Sequence, residues 1–78
     1  MNNRELLELT RKISNSYFNR DFKHKIKFNS KLRTTGGRYF LNNHNIDINP
    51  KMLTECDMDT LIGVIKHELC HYHLHING

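Results

Sequence analysis

The residues best suited to chemistry stand together near the carboxyl end, in the segment His67-Glu68-Leu69-Cys70-His71. Residues four apart in a helix lie one turn apart on the same face, so His67 and His71 are placed to bind one metal ion. Imidazole nitrogens are common ligands of tetrahedral zinc. Glu68 then lies beside the open position of the metal, where its carboxylate can accept a proton from zinc-bound water. The spacing predicts a Zn²⁺ site with two histidine ligands and a glutamate base. The alternative is a solvated, histidine-rich helix end that interacts favourably with the helix dipole.

A third zinc ligand is not evident in the sequence. Catalytic zinc usually has three protein ligands. His75 lies about 12 Å along the helix axis from His67, so the two do not converge on one ion. His73 faces another side, and His24 and His44 are expected to be surface histidines. We therefore expect the third ligand to lie beyond the carboxyl end, and we expect residues 1–78 to be a single domain that is truncated there and inactive alone.

The elements that must position these residues are predicted from periodicity. Apolar residues recur at helical spacing near the amino end, which indicates an amphipathic helix with Asn2 or Asn3 as its cap and a buried stripe of Leu6, Leu9, Ile13 and Tyr17. Alternating residues indicate short strands, two of which form a hairpin, and Gly36-Gly37 marks a turn or bulge. The last helix is predicted from Asp57, its N-cap, to about Ile76, with Gly78 as the residue that ends it. Its predicted buried face is Leu61, Ile62, Ile65, Leu69 and Tyr72. The fold class is α+β, a small antiparallel sheet packed on helices. The predicted segments are Asn3–Phe18 (helix), Lys25–Asn29, Arg38–Leu41 and Ile46–Ile48 (strands), and the carboxyl-terminal helix.

Composition limits the class of protein. Seventy-eight residues make one small domain, and a hydrophobic fraction of 37% indicates a soluble chain. The longest apolar core run, Leu61–Ile65, is too short to span a bilayer, so no membrane association is expected. The amino end lacks the apolar region of a secretory signal, which predicts a cytoplasmic location. The two cysteines, Cys56 and Cys70, are then expected to be reduced, buried and inert.

Charge is distributed unevenly along the chain. Residues 1–40 carry ten Lys/Arg and three acids, a balance of +7, whereas residues 41–78 carry two and five, a balance of −3. Residues 20–38 hold seven of the basic side chains, interleaved with Phe22 and Phe28, so nucleic acid is a candidate partner. The competing interpretation is structural: the two phenylalanines belong to the core, and Lys25 and Lys27 protect a sheet edge from aggregation. A non-catalytic, nucleic-acid-binding module with an idle HExxH helix is therefore the alternative to an enzyme.

The extended sequence around the HExxH segment resembles a known family. The run LIGVIKHELCHYHLHING is similar to the active-site helix of SprT-like proteins, and TTGGRYF and IDINPKML resemble the hairpin of that family and the loop before its helix. The resemblance covers the whole chain and is strongest in residues 34–78. It implies the N-terminal part of a zincin-type metalloprotease domain that hydrolyses peptide bonds in protein or peptide substrates, with His67 and His71 as zinc ligands and Glu68 as base. Family members have a third histidine downstream, and the related protease Spartan acts on proteins crosslinked to DNA.

Overall fold

The computed structural model describes residues 1–77, so the predicted helix end at Gly78 lies outside the described residues. Three helices and three strands follow one another in an α-β-β-β-α-α order, which confirms the α+β class. No helix in residues 1–77 is long and apolar enough to cross a membrane. The elements are α1 (Asn3–Ile13), continued by a π-helical segment (Ser14–Phe18), β1 (Ile26–Phe28), β2 (Gly37–Tyr39), β3 (Ile46–Ile48), α2 (Lys51–Thr54) and α3 (Met58–Asn77).

The first helix begins with a capping box, as the cap prediction requires. Asn2 Oδ1 accepts a hydrogen bond from the Glu5 backbone N–H at 2.8 Å, and the Asn2 backbone N–H donates to Glu5 Oε1 at 3.0 Å. These bonds satisfy backbone donors that otherwise lack partners at a helix start. Leu6, Thr10 and Ile13 form the buried face of α1. The helix therefore packs one stripe against the sheet and α3.

The end of the predicted first helix differs from a regular α-helix. Ser14–Phe18 forms a π-helical segment that ends at Asn19, a left-handed residue with φ 59°. A π-segment adds one residue to a turn and so rotates the following side chains. Tyr17, predicted on the buried stripe, is 65% exposed, and the Lys66 ammonium lies over its ring at 4.2 Å. The prediction of Tyr17 as a core residue was wrong because helical spacing alone does not reveal the extra residue.

The sheet is mixed rather than wholly antiparallel. β3 is the central strand; β2 pairs with it antiparallel and β1 pairs with it parallel. The predicted hairpin is therefore confirmed, but the prediction of an entirely antiparallel sheet was wrong. Residues 29–36 carry the chain from the end of β1 to β2, and β3 then enters between the two strands, parallel to β1; local sequence patterns do not encode that arrangement. As a result, all three β3 residues are buried, and one edge of β2 has no strand partner among residues 1–77.

The last helix is the longest element and carries much of the core. Asp57 precedes α3 and its Oδ1 accepts the Thr60 backbone N–H at 2.8 Å, which confirms the predicted cap. Hydrogen bonds from Thr60 also hold the pKa of Asp57 below its ordinary value. The predicted face of α3 is buried at four of its five positions, and the fifth, Ile62, is half-buried. The buried apolar residues are Leu6, Ile13, Phe22, Ile26, Ile46, Ile48, Leu61, Ile65, Leu69 and Tyr72.

Candidate metal centre

The two histidines of the HExxH segment lie one turn apart on the exposed face of α3. The Nε2 atoms of His67 and His71 are 3.3 Å apart, and their ring centroids are 4.8 Å apart with an 86° angle between the planes. Two nitrogens bound to one tetrahedral zinc at about 2.0–2.1 Å are separated by about 3.3–3.4 Å, as simple trigonometry gives. Both rings are exposed. The pair therefore fits two adjacent positions of a tetrahedral zinc ion.

Glu68 lies behind the pair, on the side of α3 that faces the sheet. Its side chain is 7% exposed, and burial raises its pKa, while the nearby His67 and His71 oppose this shift. A carboxylate with a raised pKa is a stronger base, which suits a group that must take and return a proton. Gly37 in β2 covers it: a Cβ at that position would lie 3.1 Å from Glu68 Cγ. The sheet thus fixes the position of Glu68 through close contact.

A groove runs between β2 and α3 and leads to these residues. Its cavity volume is about 460 Å³, and His67 and Glu68 line one end. Two consecutive glycines, Gly36 and Gly37, lie in the opposite wall, and a Cβ at either would press on Val64 of α3. The unpaired edge of β2 borders the groove. Sequence reasoning identified Gly36-Gly37 only as a turn or bulge; the missing signal was that a glycine pair next to a strand also permits close approach of backbone.

The other histidines do not join this pair. Within residues 1–77, no three His, Cys, Asp or Glu side chains form a set arranged to hold a metal ion. This agrees with the expectation that His75 does not converge with His67. Their side chains have other partners: His73 with Ser14, His75 and His44 with Tyr39, and His24 with Tyr72.

His73 is a structural histidine. Its Nε2 lies 2.7 Å from Ser14 Oγ, and the Ser14 hydroxyl donates to the Arg20 carbonyl oxygen. Because the hydroxyl proton is used there, His73 Nε2–H must donate to Ser14 Oγ. Burial lowers the pKa of His73, with the Arg20 charge adding to the effect. The neutral ring therefore joins α3 to the π-helical segment and is not free to act as a ligand through Nε2.

The basic segment contains both core aromatic residues and charged side chains that line a cavity. Phe22 is 1% exposed and Phe28 is half-buried, so the interpretation of these rings as core residues is confirmed. Arg20, Asp21, Lys23 and His24 line a second cavity of about 390 Å³ beside the last turns of α3. The prediction that both cysteines are buried was wrong, because Cys70 is exposed and Cys56 is only partly buried. Cys70 occupies the solvent-facing side of α3, which the apolar character of cysteine did not indicate.

The fold and the HExxH helix define a class: a small α+β domain whose last helix presents a histidine pair and a buried glutamate beside a sheet edge. The chain belongs to the SprT-like family, whose family model matches residues 6–78. It is 56% identical to Protein SprT-like of Bacillus subtilis (strain 168) over 78 residues, which are 100% of this chain and 52% of the relative. It is 63% identical to Protein SprT-like of Lactiplantibacillus plantarum over 76 residues, 97% of this chain and 51% of the relative. The chain therefore spans about half the length of these curated relatives. No solved structure matches it significantly.

Proposed function

We propose that this chain is part of a zinc-dependent metalloprotease that hydrolyses peptide bonds in protein or peptide substrates. The observation that carries the proposal is the 3.3 Å separation of the His67 and His71 Nε2 atoms, which fits adjacent positions on a tetrahedral zinc ion. In the proposal, these two residues hold Zn²⁺ through Nε2. When bound, zinc supplies a Lewis acid that lowers the pKa of a water molecule and polarises a substrate carbonyl.

Glu68 is the proton carrier in this proposal. Its carboxylate takes a proton from the attacking water and gives it to the leaving amine. Burial raises its pKa, so the carboxylate binds the transferred proton more tightly than an exposed glutamate does. The close contact with Gly37 limits the movement of Glu68 Cγ. A base held in place in this manner needs little reorganisation when the proton moves.

The groove supports a polypeptide substrate in extended form. The unpaired edge of β2 offers backbone hydrogen-bonding groups that an added strand can use, a common mode of peptide recognition. Gly36 and Gly37 line the groove beside that edge, and their lack of side chains lets β2 pack closely on Val64 of α3. Residues of an extended substrate would then pass beside His67 and Glu68. This arrangement favours unfolded segments over folded proteins, because only an unpaired strand can add to a sheet edge.

In this proposal, the third zinc ligand is a residue outside residues 1–78. Among residues 1–77, His73 and His75 are hydrogen-bonded elsewhere and no group of three ligands is present. The curated relatives are about twice as long as the matched segment. We propose that polypeptide corresponding to their other half supplies the ligand, in a cytoplasmic protein whose cysteines remain reduced.

The test is metal content together with proteolysis, measured on the full-length protein. We expect zinc at the HExxH site, its loss on His67→Ala, and cleavage of an unfolded protein substrate that stops when the zinc is chelated. The control is Lys66→Ala, since Lys66 neighbours the motif without belonging to it and its ammonium lies over the exposed Tyr17 ring. A His67→Ala variant that cleaves at the wild-type rate would contradict the proposal.

Sequence-independent nucleic-acid binding is a second candidate function, and one observation favours it. Arg20 and Lys23 line one cavity together with Asp21 and His24, and the guanidinium and ammonium groups there can contact a phosphate. We expect a single-stranded DNA oligonucleotide to bind with an affinity that falls as salt rises. A double substitution, Arg20→Ala with Lys23→Ala, should weaken binding and reduce the salt slope by about two. Failure to bind at about 50 mM salt removes this function and leaves the protease proposal intact.

A further inference from the structure

Three glycines line the groove between β2 and α3, and close packing explains only two of them. A Cβ at Gly36 would lie 3.2 Å from Val64 Cγ2, and one at Gly37 would lie 2.9 Å from Val64 Cγ1, so these glycines let β2 approach α3. A Cβ at Gly63 would meet nothing within 4 Å. No glycine of residues 1–77 has a positive φ. Neither a close contact nor the backbone conformation therefore accounts for glycine at position 63.

Gly63 lies in the interior of α3, where glycine is unfavourable. The helix runs from Met58 to Asn77, so more than one turn of helix lies on either side of Gly63. Glycine in a helix interior lowers stability relative to alanine, because its backbone loses more conformational freedom on folding. A residue that weakens the local structure without a compensating contact is typical of functional positions. What glycine supplies at this position is open space beside the helix.

This open space lies next to the candidate metal centre. Gly63 precedes His67 by four residues, so the two lie on the same face of α3, about 6 Å apart along the helix axis. Thr60 and Val64 line the same groove from α3, and Thr35 lines it from the loop before β2. An extended polypeptide advances about 3.3 Å per residue, so a substrate side chain in this space belongs to a residue within about two positions of the bond beside His67.

The groove around Gly63 favours an apolar side chain. Its volume of about 460 Å³ is in the range of ligand sites in proteins. A charged side chain placed among uncharged groups would lose its water without gaining an opposite charge. An apolar side chain would gain free energy in proportion to the surface it removes from water. Apart from His67 and Glu68 at one end, the lining residues carry no charge: Thr35, Gly36, Gly37, Thr60, Gly63 and Val64.

We infer that Gly63 keeps open a subsite for an apolar side chain of the substrate, such as leucine, methionine or phenylalanine. The inference rests on the proposed peptidase function and names the substrate class: unfolded segments with an apolar residue within about two positions of the cleaved bond. The substrate backbone adds to the edge of β2, and one of its side chains enters the space beside Gly63. Large apolar side chains are mostly buried in folded proteins, so the subsite adds a second basis for selecting unfolded ones.

The first experiment measures peptide binding to the full-length protein carrying Glu68→Gln, which leaves the peptide intact. The probes are short fluorescein-labelled peptides of alanine, serine and threonine that differ only at one central residue, which is leucine, alanine or lysine. Fluorescence anisotropy should show the leucine peptide binding about 10-fold more tightly than the alanine peptide, the lower end of discrimination by an apolar pocket, because the groove is open to solvent.

Two leucine substitutions in α3 test where this preference arises. Gly63→Leu fills the space and should abolish the preference for the leucine peptide; leucine also favours a helix over glycine, so the variant should fold. Lys66→Leu is the matched control, because it adds the same side chain to α3 at a position that does not line the groove. The control should retain the preference for the leucine peptide.

Cleavage by the full-length protein with Glu68 unchanged provides a second measurement. Mass spectrometry of fragments from an unfolded protein should show an apolar residue within about two positions of each cleaved bond, and Gly63→Leu should shift that position toward alanine and glycine. The inference is overturned by equal binding of the leucine and alanine peptides, by tighter binding of the lysine peptide, or by a leucine preference that survives Gly63→Leu. These outcomes leave the protease proposal standing. A leucine preference that Gly63→Leu abolishes, with no zinc-dependent cleavage, would support the subsite and refute the protease proposal.

Discussion

Replacing Gly37 by alanine tests whether the contact between β2 and α3 is as close as the structure indicates. A Cβ at Gly37 would lie 2.9 Å from Val64 Cγ1, 3.1 Å from Glu68 Cγ and 3.2 Å from Ile48 Cδ1. Carbon atoms in favourable contact are about 3.5–4.0 Å apart, so all three distances are too short. Val64 is β-branched and stiff, and Ile48 is fully buried, so neither side chain moves freely.

The magnitude follows from two opposing effects. Overpacking a well-packed region costs about 1–3 kcal/mol. Gly37 has no positive φ, so alanine also gains about 0.4–1 kcal/mol from a less flexible unfolded chain. The net expectation is a loss of about 1–2 kcal/mol in the free energy of unfolding. With a urea dependence of about 1–3 kcal/mol/M, the unfolding midpoint should fall by about 0.3–2 M.

Gly63 provides the matched control for this substitution. It lies in α3 at the same groove, but a Cβ there would meet nothing within 4 Å. Alanine in a helix interior is favoured over glycine by about 0.8–1 kcal/mol, so Gly63→Ala should raise the midpoint. Urea titrations followed by circular dichroism measure both variants. A Gly37→Ala midpoint at or above that of the unmodified chain would refute the close contact and the argument that β2 holds Glu68 in place.

Three further predictions concern stability. The Asp21 pKa is about 2, below its ordinary 3.8, chiefly because the Arg11 side chain hydrogen-bonds to the carboxylate. The stabilisation is therefore complete above about pH 4 and is lost as the pH falls through 2. Solvent screens this surface pair, so its contribution is small, and Asp21→Asn should flatten that part of an acid titration. Asn2→Ala removes the helix cap and should cost about 1 kcal/mol in urea unfolding, an expectation that an unchanged midpoint contradicts. Ser14→Ala leaves the buried His73 Nε2–H unpaired and should cost about 1–3 kcal/mol by the same assay; no loss would mean that water replaces the hydroxyl.

Local signals in the sequence predicted the elements that position the candidate site. The HExxH spacing, the Asp57 cap and the apolar face of the last helix concern residues close in sequence, where helix geometry fixes the outcome. The same applies to the Asn2 capping box and to the hairpin between β2 and β3. These features required no knowledge of distant contacts, and so the histidine pair and Glu68 could be placed on one helix from the sequence.

Features that depend on distant contacts could not be predicted in this way. The parallel direction of β1 follows from how residues 29–36 return to the sheet. The π-helical segment begins at Ser14, whose hydroxyl is hydrogen-bonded to His73, 59 residues away in the chain. The meeting of His24, His44 and His75 requires the complete fold, and the sequence suggested only separate surface histidines. The sequence also did not indicate which residue of the Asn42–Asn45 loop adopts the left-handed conformation, since asparagine and histidine both tolerate it.

The central claim is that Glu68 acts as the base of a zinc-dependent peptidase. The most direct test compares hydrolysis of an unfolded protein substrate by the full-length protein and by Glu68→Gln, with equal zinc content confirmed by elemental analysis. Glutamine has nearly the same shape but cannot accept the proton, so the rate should fall by about 10²–10⁴-fold while zinc is retained. Equal cleavage by the zinc-loaded wild-type protein and Glu68→Gln, or no zinc-dependent cleavage by either, would contradict the claim.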